Sequence, residues 1–287
     1  MHLGPWMEVR TWRLKQPRPR VPRPAAAGCL AAMLFVPGCA LIDDFNDRRA
    51  LAEGDLLTLL TGPSAEQAAR WAIDPHNADR RYRGTSLLAV APFAGEPVYL
   101  ELYADNASDP DPAVRAAAIR ALAHHGDPSH APLLIAALED EDVLVRLSAA
   151  RALQRIHTPA AVTALIERLD PATETEKGVR AACAHALGQH PEPRVLEALA
   201  FALRDPSLTV NTQARVALIT LTGQDLPFDS FAWLEFIRAA EEPFSEQARY
   251  RYPVYTRDRR LVEYIPFYPQ PPIDPSAEPV GLPREER

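Results

Sequence analysis

VRAAAIRAL (Val114–Leu122), VRLSAARAL (Val145–Leu153) and VRAACAHAL (Val179–Leu187) are three versions of one nine-residue phrase. A looser fourth version begins at Val210, and the four valines stand 31, 34 and 31 residues apart. A recurrence in this range is the mark of a stacked array of small structural units. Counted from each valine, small or branched apolar residues return at the fourth, seventh and eighth positions: Ala118, Ala121 and Leu122; Ala149, Ala152 and Leu153; Cys183, Ala186 and Leu187; Ala214, Ala217 and Leu218. That spacing is one face of an α-helix, and its small side chains permit close approach of a neighbouring helix.

The ends of these helices can be read as well. Asp111, Asp142 and Ser207 precede their valines by three residues, where a side-chain oxygen can accept from an unpaired helix N–H. Glu176 holds that place before Val179. A second helix is predicted after each first one, opening at Asp127-Pro128, Thr158-Pro159 and Glu192-Pro193, since proline suits the first helical position. Its apolar stripe runs Ala131, Leu134, Ile135, Leu138 in one unit, Val162, Leu165, Ile166, Leu169 in the next and Leu196, Leu199, Ala200, Leu203 in the third. One such pair cannot bury both its faces, so the pairs must stack. The expected fold is all-α, an α-solenoid of about five antiparallel helix pairs.

The motif D-x-x-V-R-x-x-A-x-x-A-L, followed by D/T-P and a leucine-rich helix, resembles HEAT-like repeats of the phycobilisome-lyase type over about residues 110–222. Tyr82-Arg83 with Glu96-Pro97 is read as a degenerate earlier unit, and 64–74 as the second helix of one still earlier. Thr222 to Ile237 resembles the closing element of such arrays, with Asp229 capping a helix whose Phe231, Trp233, Phe236 and Ile237 form its inner face. The resemblance implies a fold; it does not imply an activity.

The two ends of the chain differ from the array. Residues 1–39 carry six cations against Glu8, a net charge of +5 that leaves −12 for the rest. A basic segment, the apolar run Ala25–Val36 and small residues at a break describe an export signal too short to span a membrane. Val36-Pro37-Gly38-Cys39 resembles a bacterial lipobox, with Pro37 departing from its usual residue. That resemblance implies cleavage before Cys39, lipidation of Cys39 and a place in the bacterial cell envelope, on its periplasmic face. The expected organisation is a signal over 1–39, a linker and helix over 40–63, the array with its cap over 64–242 and a Pro/Tyr-rich extended tail over 243–287. Five of the eight tyrosines fall in that tail: Tyr250, Tyr252, Tyr255, Tyr264 and Tyr268. Three readings of it stand open: a strap lying back over the array with the last dozen residues free, a partner-binding arm, or disorder.

Within the array, Arg115, Arg146 and Arg180 form a column broken by Asn211. Pairing with the carboxylates that open neighbouring units, such as Asp109, Asp111, Asp140 and Asp142, gives this column a structural role. His125 and His190 share a column with Ile156 and Leu221, which favours turn histidines over ligands. HEAT-like deoxyhypusine hydroxylases hold iron with His-Glu pairs, and no His-Glu dipeptide occurs in this chain. No metal and no other cofactor is expected. Cys183 takes the place of an alanine, and no nucleophile constellation or phosphate loop stands out. The acidic body argues against nucleic acid as partner.

Surfaces remain. In HEAT-like arrays the second helices usually line the concave side, where Tyr99, His130, Leu133, Glu167, Arg168, Glu197 and Phe201 are the expected outward positions. The reading is a non-enzymatic, envelope-anchored scaffold docking an unidentified envelope protein. Its rivals are a HEAT-like enzyme or chromophore lyase, and a purely structural lipoprotein.

Overall fold

The computed structural model describes residues 63–254 and 275–283. Cys39, Tyr255, Tyr264 and Tyr268 lie outside the described residues, as do the export signal and the short strand that RLVEYIPF could form. The body beginning at Pro63 is an all-α solenoid. A first helix α1 (Ala65–Ala72) is followed by five pairs: α2 (Ala78–Leu88) with α3 (Pro97–Asn106), α4 (Pro112–His125) with α5 (Ala131–Ala137), α6 (Val143–Ala152) with α7 (Val162–Glu167), α8 (Lys177–Leu187) with α9 (Pro193–Ala202), and α10 (Leu208–Thr222) with α11 (Ser230–Ala239).

The first helices α2, α4, α6, α8 and α10 stack in chain order, each packed on the next. The repeated valines and their small-residue partners are buried without exception, from Val114 to Leu218. From Val145 onward they meet the leucines of the second helices, among them Leu134, Leu165, Leu196 and Leu199, in one core, while Ala118, Ala121 and Leu122 join Leu88 and Tyr103 in a second. Full burial of each such leucine is worth about 1.5–3 kcal/mol. In the central helix α8 every residue from Val179 to Leu187 is buried except His185, because neighbours cover it on all sides.

Helix starts follow the side-chain chemistry. Asp111 accepts from the N–H groups of Ala113 and Val114, and Asp142 from those of Leu144 and Val145. Ser207 and Glu176 occupy the same place without a capping bond from the side chain. Two second helices differ from the sequence expectation. Asp127-Pro128 and Thr158-Pro159 open short 3-10 turns, Pro128–His130 and Pro159–Ala161, before α5 and α7 begin, whereas α9 starts directly at Pro193.

At the other end, α1 lies against α2 through Gly84. A Cβ on Gly84 would stand 2.3 Å from the Ala72 nitrogen and 2.5 Å from the Ala68 carbonyl oxygen. Both contacts are backbone, so neither can step aside. Gly84→Ala should therefore push α1 away at a cost of about 1–3 kcal/mol. Limited proteolysis should then cut near residues 73–77 while the fragment from α4 onward survives; an unchanged digestion pattern would refute this.

The C-terminal segment returns across the turns that join first to second helices. Ala248 N–H donates to the Thr220 carbonyl (2.7 Å), and the buried Tyr250 sets its hydroxyl 2.9 Å from His185 Nδ1. Tyr252 lies under the Arg155 guanidinium, 4.4 Å from ring centre to Cζ. Residues 275–280 run antiparallel beside this stretch, joined by Tyr252 N–H to the Ala277 carbonyl (3.0 Å) and an Arg249–Glu278 ion pair (3.2 Å). Val280 N–H donates to the Arg155 carbonyl (2.7 Å) and its own carbonyl accepts from His157 N–H (2.8 Å). Gly281, at φ 86°, then packs on Pro128; a Cβ there would come within 2.6 Å of the proline ring. The strap reading left the last dozen residues free, yet Val280 and Gly281 are held to the array by backbone bonds and a contact that only glycine permits.

Candidate functional site

Three constellations could carry function: the arginine column, the histidine edge and the outward surface of the second helices. In the column, each guanidinium bridges two units by the same geometry. Arg115 Nε and Nη2 grip both oxygens of Asp140, each at 2.8 Å, while Nη1 donates to the carbonyls of Asp109 and Pro110. Arg146 grips Glu174 and donates to the carbonyls of Asp140 and Glu141. Arg180 grips Asp205 and donates to those of Glu174 and Thr175. Each gripped carboxylate also accepts the backbone N–H two residues on, as Asp140 does from Asp142 and Glu174 from Glu176.

The ladder has a fourth rung that the repeat pattern did not include. Arg81 holds both oxygens of Asp109 (2.6 and 2.8 Å), whereas Arg83 is exposed. Burial alone would raise the carboxyls of Asp109, Asp140 and Glu174; the guanidinium and backbone hydrogen bonds outweigh it and hold all three below the ordinary range. These arginines have their donors engaged inside the molecule. The ladder stops at Asn211, whose Oδ1 is buried without a hydrogen-bond partner among the described residues.

The histidines gather at the turn edge beneath the strap. His157 and His190 stack with ring centres 4.8 Å apart, and Gln189 Oε1 lies 3.2 Å from His157 Nδ1. His125 Nε2 sits 2.8 Å from the Ala89 carbonyl oxygen. Among the described residues no group of three or more His, Cys, Asp or Glu converges on a point where a metal could sit. Burial pushes His185 down to about 4 and His190 down to about 3, the latter helped by neighbouring His157 and Arg194.

Those shifts fix a pH dependence. Both rings stay neutral in the fold, and both take up a proton on unfolding once the pH drops below the ordinary 6.5. Their contribution is whole above pH 6.5 and declines as pH falls toward the folded values, by up to about 1.4 kcal/mol per pH unit per histidine. The gripped carboxylates act only at lower pH, near and below their ordinary 3.8 to 4.5. Thermal midpoints measured between pH 7.5 and 5 should fall with acidification, and His185→Asn should remove its share of the slope. A flat profile over that range would contradict the assignment.

Of the outward positions expected on the second helices, four are engaged locally. Tyr99 is half-buried, 5.0 Å from the Phe93 ring centre. His130 Nδ1 accepts from Asp127 N–H (3.2 Å) as part of the turn that opens α5. Leu133 packs against the core from both sides. Arg168 donates to the Thr173 carbonyl (3.3 Å). Glu167, Glu197 and Phe201 stand exposed.

Glu197 and Phe201 line a groove of about 540 Å³ between α7 and α9. Its floor is Ile166, Leu169, Ala198 and Ala202, and Asp170, Pro171, Arg194 and Arg204 complete the rim. Phe201 is 55% exposed and Phe231, on the adjoining α11, 67%. Arg204 lies over the second of these, its Cζ 5.3 Å from the Phe231 ring centre. The expectation that Phe231 faces inward is corrected here. Trp233 takes the inner position, and two residues of helix turn Phe231 nearly to the opposite side. The half-buried Phe236 and Ile237 do pack against the core.

This geometry is that of an α-solenoid with an open surface groove. A family model for HEAT repeats matches residues 100–176. Comparison with curated proteins yields no match. Among solved structures, the YibA protein of Escherichia coli is 22% identical, with a TM-score of 0.46 over 61% of this chain and 69% of its own. A designed armadillo repeat protein is 15% identical, with a TM-score of 0.45 over 64% of this chain and 95% of its own. A second, solved in complex with the peptide (KR)4, is 16% identical, with a TM-score of 0.46 over 62% and 89%.

Proposed function

We propose that this chain is a non-enzymatic docking protein of a bacterial cell envelope, held at the membrane by lipid on Cys39 and presenting its second-helix surface to a partner protein. The observation that carries the docking part is the groove between α7 and α9, with Phe201 standing exposed at its mouth. An aromatic ring left in water beside an aliphatic floor is the composition of a contact surface. The ladder supports the same reading, because it ties successive units into a rigid frame on which such a surface keeps its shape. Tyr250 and Tyr252 are engaged on the array, so in this reading any docking by the tail falls to Tyr255, Tyr264 and Tyr268.

Two measurements test it. A photo-crosslinking residue placed at 201 in living cells should capture a discrete protein, whereas one placed at the exposed Asp79 should not. Equal capture at both positions would sink the docking reading. Incorporation of a fatty-acid analogue should be lost in Cys39→Ala; persistence of the label would remove the anchor.

A further inference from the structure

We infer that residues 246–252 of the strap are a detachable clasp for the closing pair, and that without it α10 and α11 swing about the arginine ladder. The inference does not depend on what docks in the groove. The two fasteners sit at opposite ends of the first helices. The ladder joins the helix starts, where Arg180 grips Asp205 and Asp205 Oδ1 also accepts from Ser207 N–H (2.7 Å). The strap crosses the other end, about 22 Å away along the 15 residues of α10.

What stitches neighbouring turns at the strap end changes along the array. Between the first and second pairs, His125 Nε2 lies on the Ala89 carbonyl, and between the second and third, Arg155 Nη1 approaches His124 Nδ1 (3.5 Å). Between the third and fourth, the buried Gln154 donates to the Ala182 carbonyl (2.9 Å) and the buried Gln189 to the Leu153 carbonyl (2.6 Å). The fifth pair has Ile219, Thr220 and Leu221 at the corresponding places. Two of these carry no polar group, and Thr220 turns its hydroxyl back to the Val216 carbonyl (2.8 Å). Among the described residues no hydrogen bond or ion pair joins the fourth turn directly to the fifth.

The strap supplies that missing stitch. The Thr220 carbonyl stands at a helix end, where Gln224 N–H goes to the Thr222 hydroxyl instead, so it is open to the Ala248 N–H. Two residues on, the buried Tyr250 sets its hydroxyl against His185 of α8. Alternate residues of an extended chain face the same way, so one short stretch reaches both helices. Gln224 Nε2 donates to Glu246 (2.9 Å) where this stretch begins. The glutamine stitches belong to the body of the array, whereas the strap's bonds come from a segment exposed over 245–249 that can leave without melting a helix. The closing pair is then held by the ladder and by core packing alone. A swing of about 10° about the ladder moves the far end of α10 by about 4 Å. It parts Gly188 from Ala217, now so close that a Cβ on Gly188 would stand 3.1 Å from the Ala217 Cβ, and it bares Leu221, at present fully buried.

The test uses the full chain and distances between spin labels carried on non-natural amino acids, so that Cys29, Cys39 and Cys183 stay native. One label pair, at Ala160 and Asp225, spans the third to fifth helix pairs at the strap end. The other, at Glu141 and Leu208, spans the same helix pairs at the ladder end, and all four positions are exposed. Ala248→Pro combined with Tyr250→Ala removes both bonds of the clasp. The strap-end distance should then lengthen by about 4 Å and broaden, while the ladder-end distance stays within about 1 Å of its native value. Two unchanged distances would mean that the strap holds nothing. Equal broadening at both ends would mean that the closing pair loosens without a hinge, and either result overturns the inference. Should the double variant lose its helical circular dichroism, Ala248→Pro alone, which removes one bond at an exposed residue, is read with the same label pairs and the same criteria. No partner enters these measurements, so their failure leaves the docking reading as it stands.

Discussion

Arg146→Met should destabilise the array by about 3–5 kcal/mol, the cost of leaving a buried carboxylate without its counter-charge. Glu174 is 1% exposed on its side chain, and Arg146 supplies both of its guanidinium contacts. Once the guanidinium is gone, one backbone donor remains, Glu176 N–H. That single bond cannot offset the burial that already opposes ionisation, so Glu174 must take up a proton or pull the turn open. The change also frees the carbonyls of Asp140 and Glu141, which close the preceding turn. Circular dichroism in urea should show the midpoint shifted well below that of the native chain. Arg146→Met combined with Glu174→Leu should recover most of the loss, because removing both charges leaves nothing uncompensated. If the double variant is as unstable as the single one, the pair holds the fold by shape and the charge argument fails. In acid the ladder should weaken by the same logic. Carboxyls held low in the fold contribute fully above their ordinary values and lose that contribution as pH falls through the depressed ones.

What the sequence made legible, and what it hid, follows from the range of the forces involved. Stacking is written in the period, because every unit must bury the same face against the next. Hence Val114, Val145, Val179 and Val210 and their helical partners could be read as core from spacing alone. The partner of each arginine was harder. Arg115 reaches Asp140, one of the carboxylates read as candidates, but Arg146 and Arg180 reach Glu174 and Asp205. These sit two residues before the N-cap positions Glu176 and Ser207, a register visible only once the turn is built. In the first pair, Tyr82-Arg83 marked a degenerate unit, and the arginine that joins the ladder, Arg81, was not singled out because it stands outside the repeated Val-Arg motif. The strap and the groove left no periodic trace. The strap joins residues as far apart as Arg155 and Val280, and the groove exists only where α7 and α9 lie side by side. Glu197 and Phe201 were nonetheless readable as outward positions, because a helical face with a filled apolar stripe tells which residues lie off it.

Trp233→Ala should produce the second large effect, about 3–5 kcal/mol, and should reveal where the array begins to come apart. Trp233 is completely buried in α11, stands edge-on to Phe236 at 6.3 Å, and donates through Nε1 to the Pro227 carbonyl (2.9 Å). It covers the end of the core beside α9, and no further helix pair follows it among the described residues. In a linear array each unit is stabilised chiefly by its neighbours, so losing the closing contact does not weaken all units alike. Hydrogen exchange should show protection falling first in α10 and α11, then in α8 and α9, with α4 and α6 the last to change. Deleting the Tyr103 ring, which is buried in the separate core at the other end, should reverse that order. The strap sharpens the expectation. It ties Thr220 of α10 to His185 of α8 and to Arg155 beyond α6, so removing residues 243–287 in the Trp233→Ala background should extend the loss of protection toward α6. Uniform loss across all five pairs in any of these variants would mean that the array unfolds as one cooperative block, and the view of units held mainly by their neighbours would have to be abandoned.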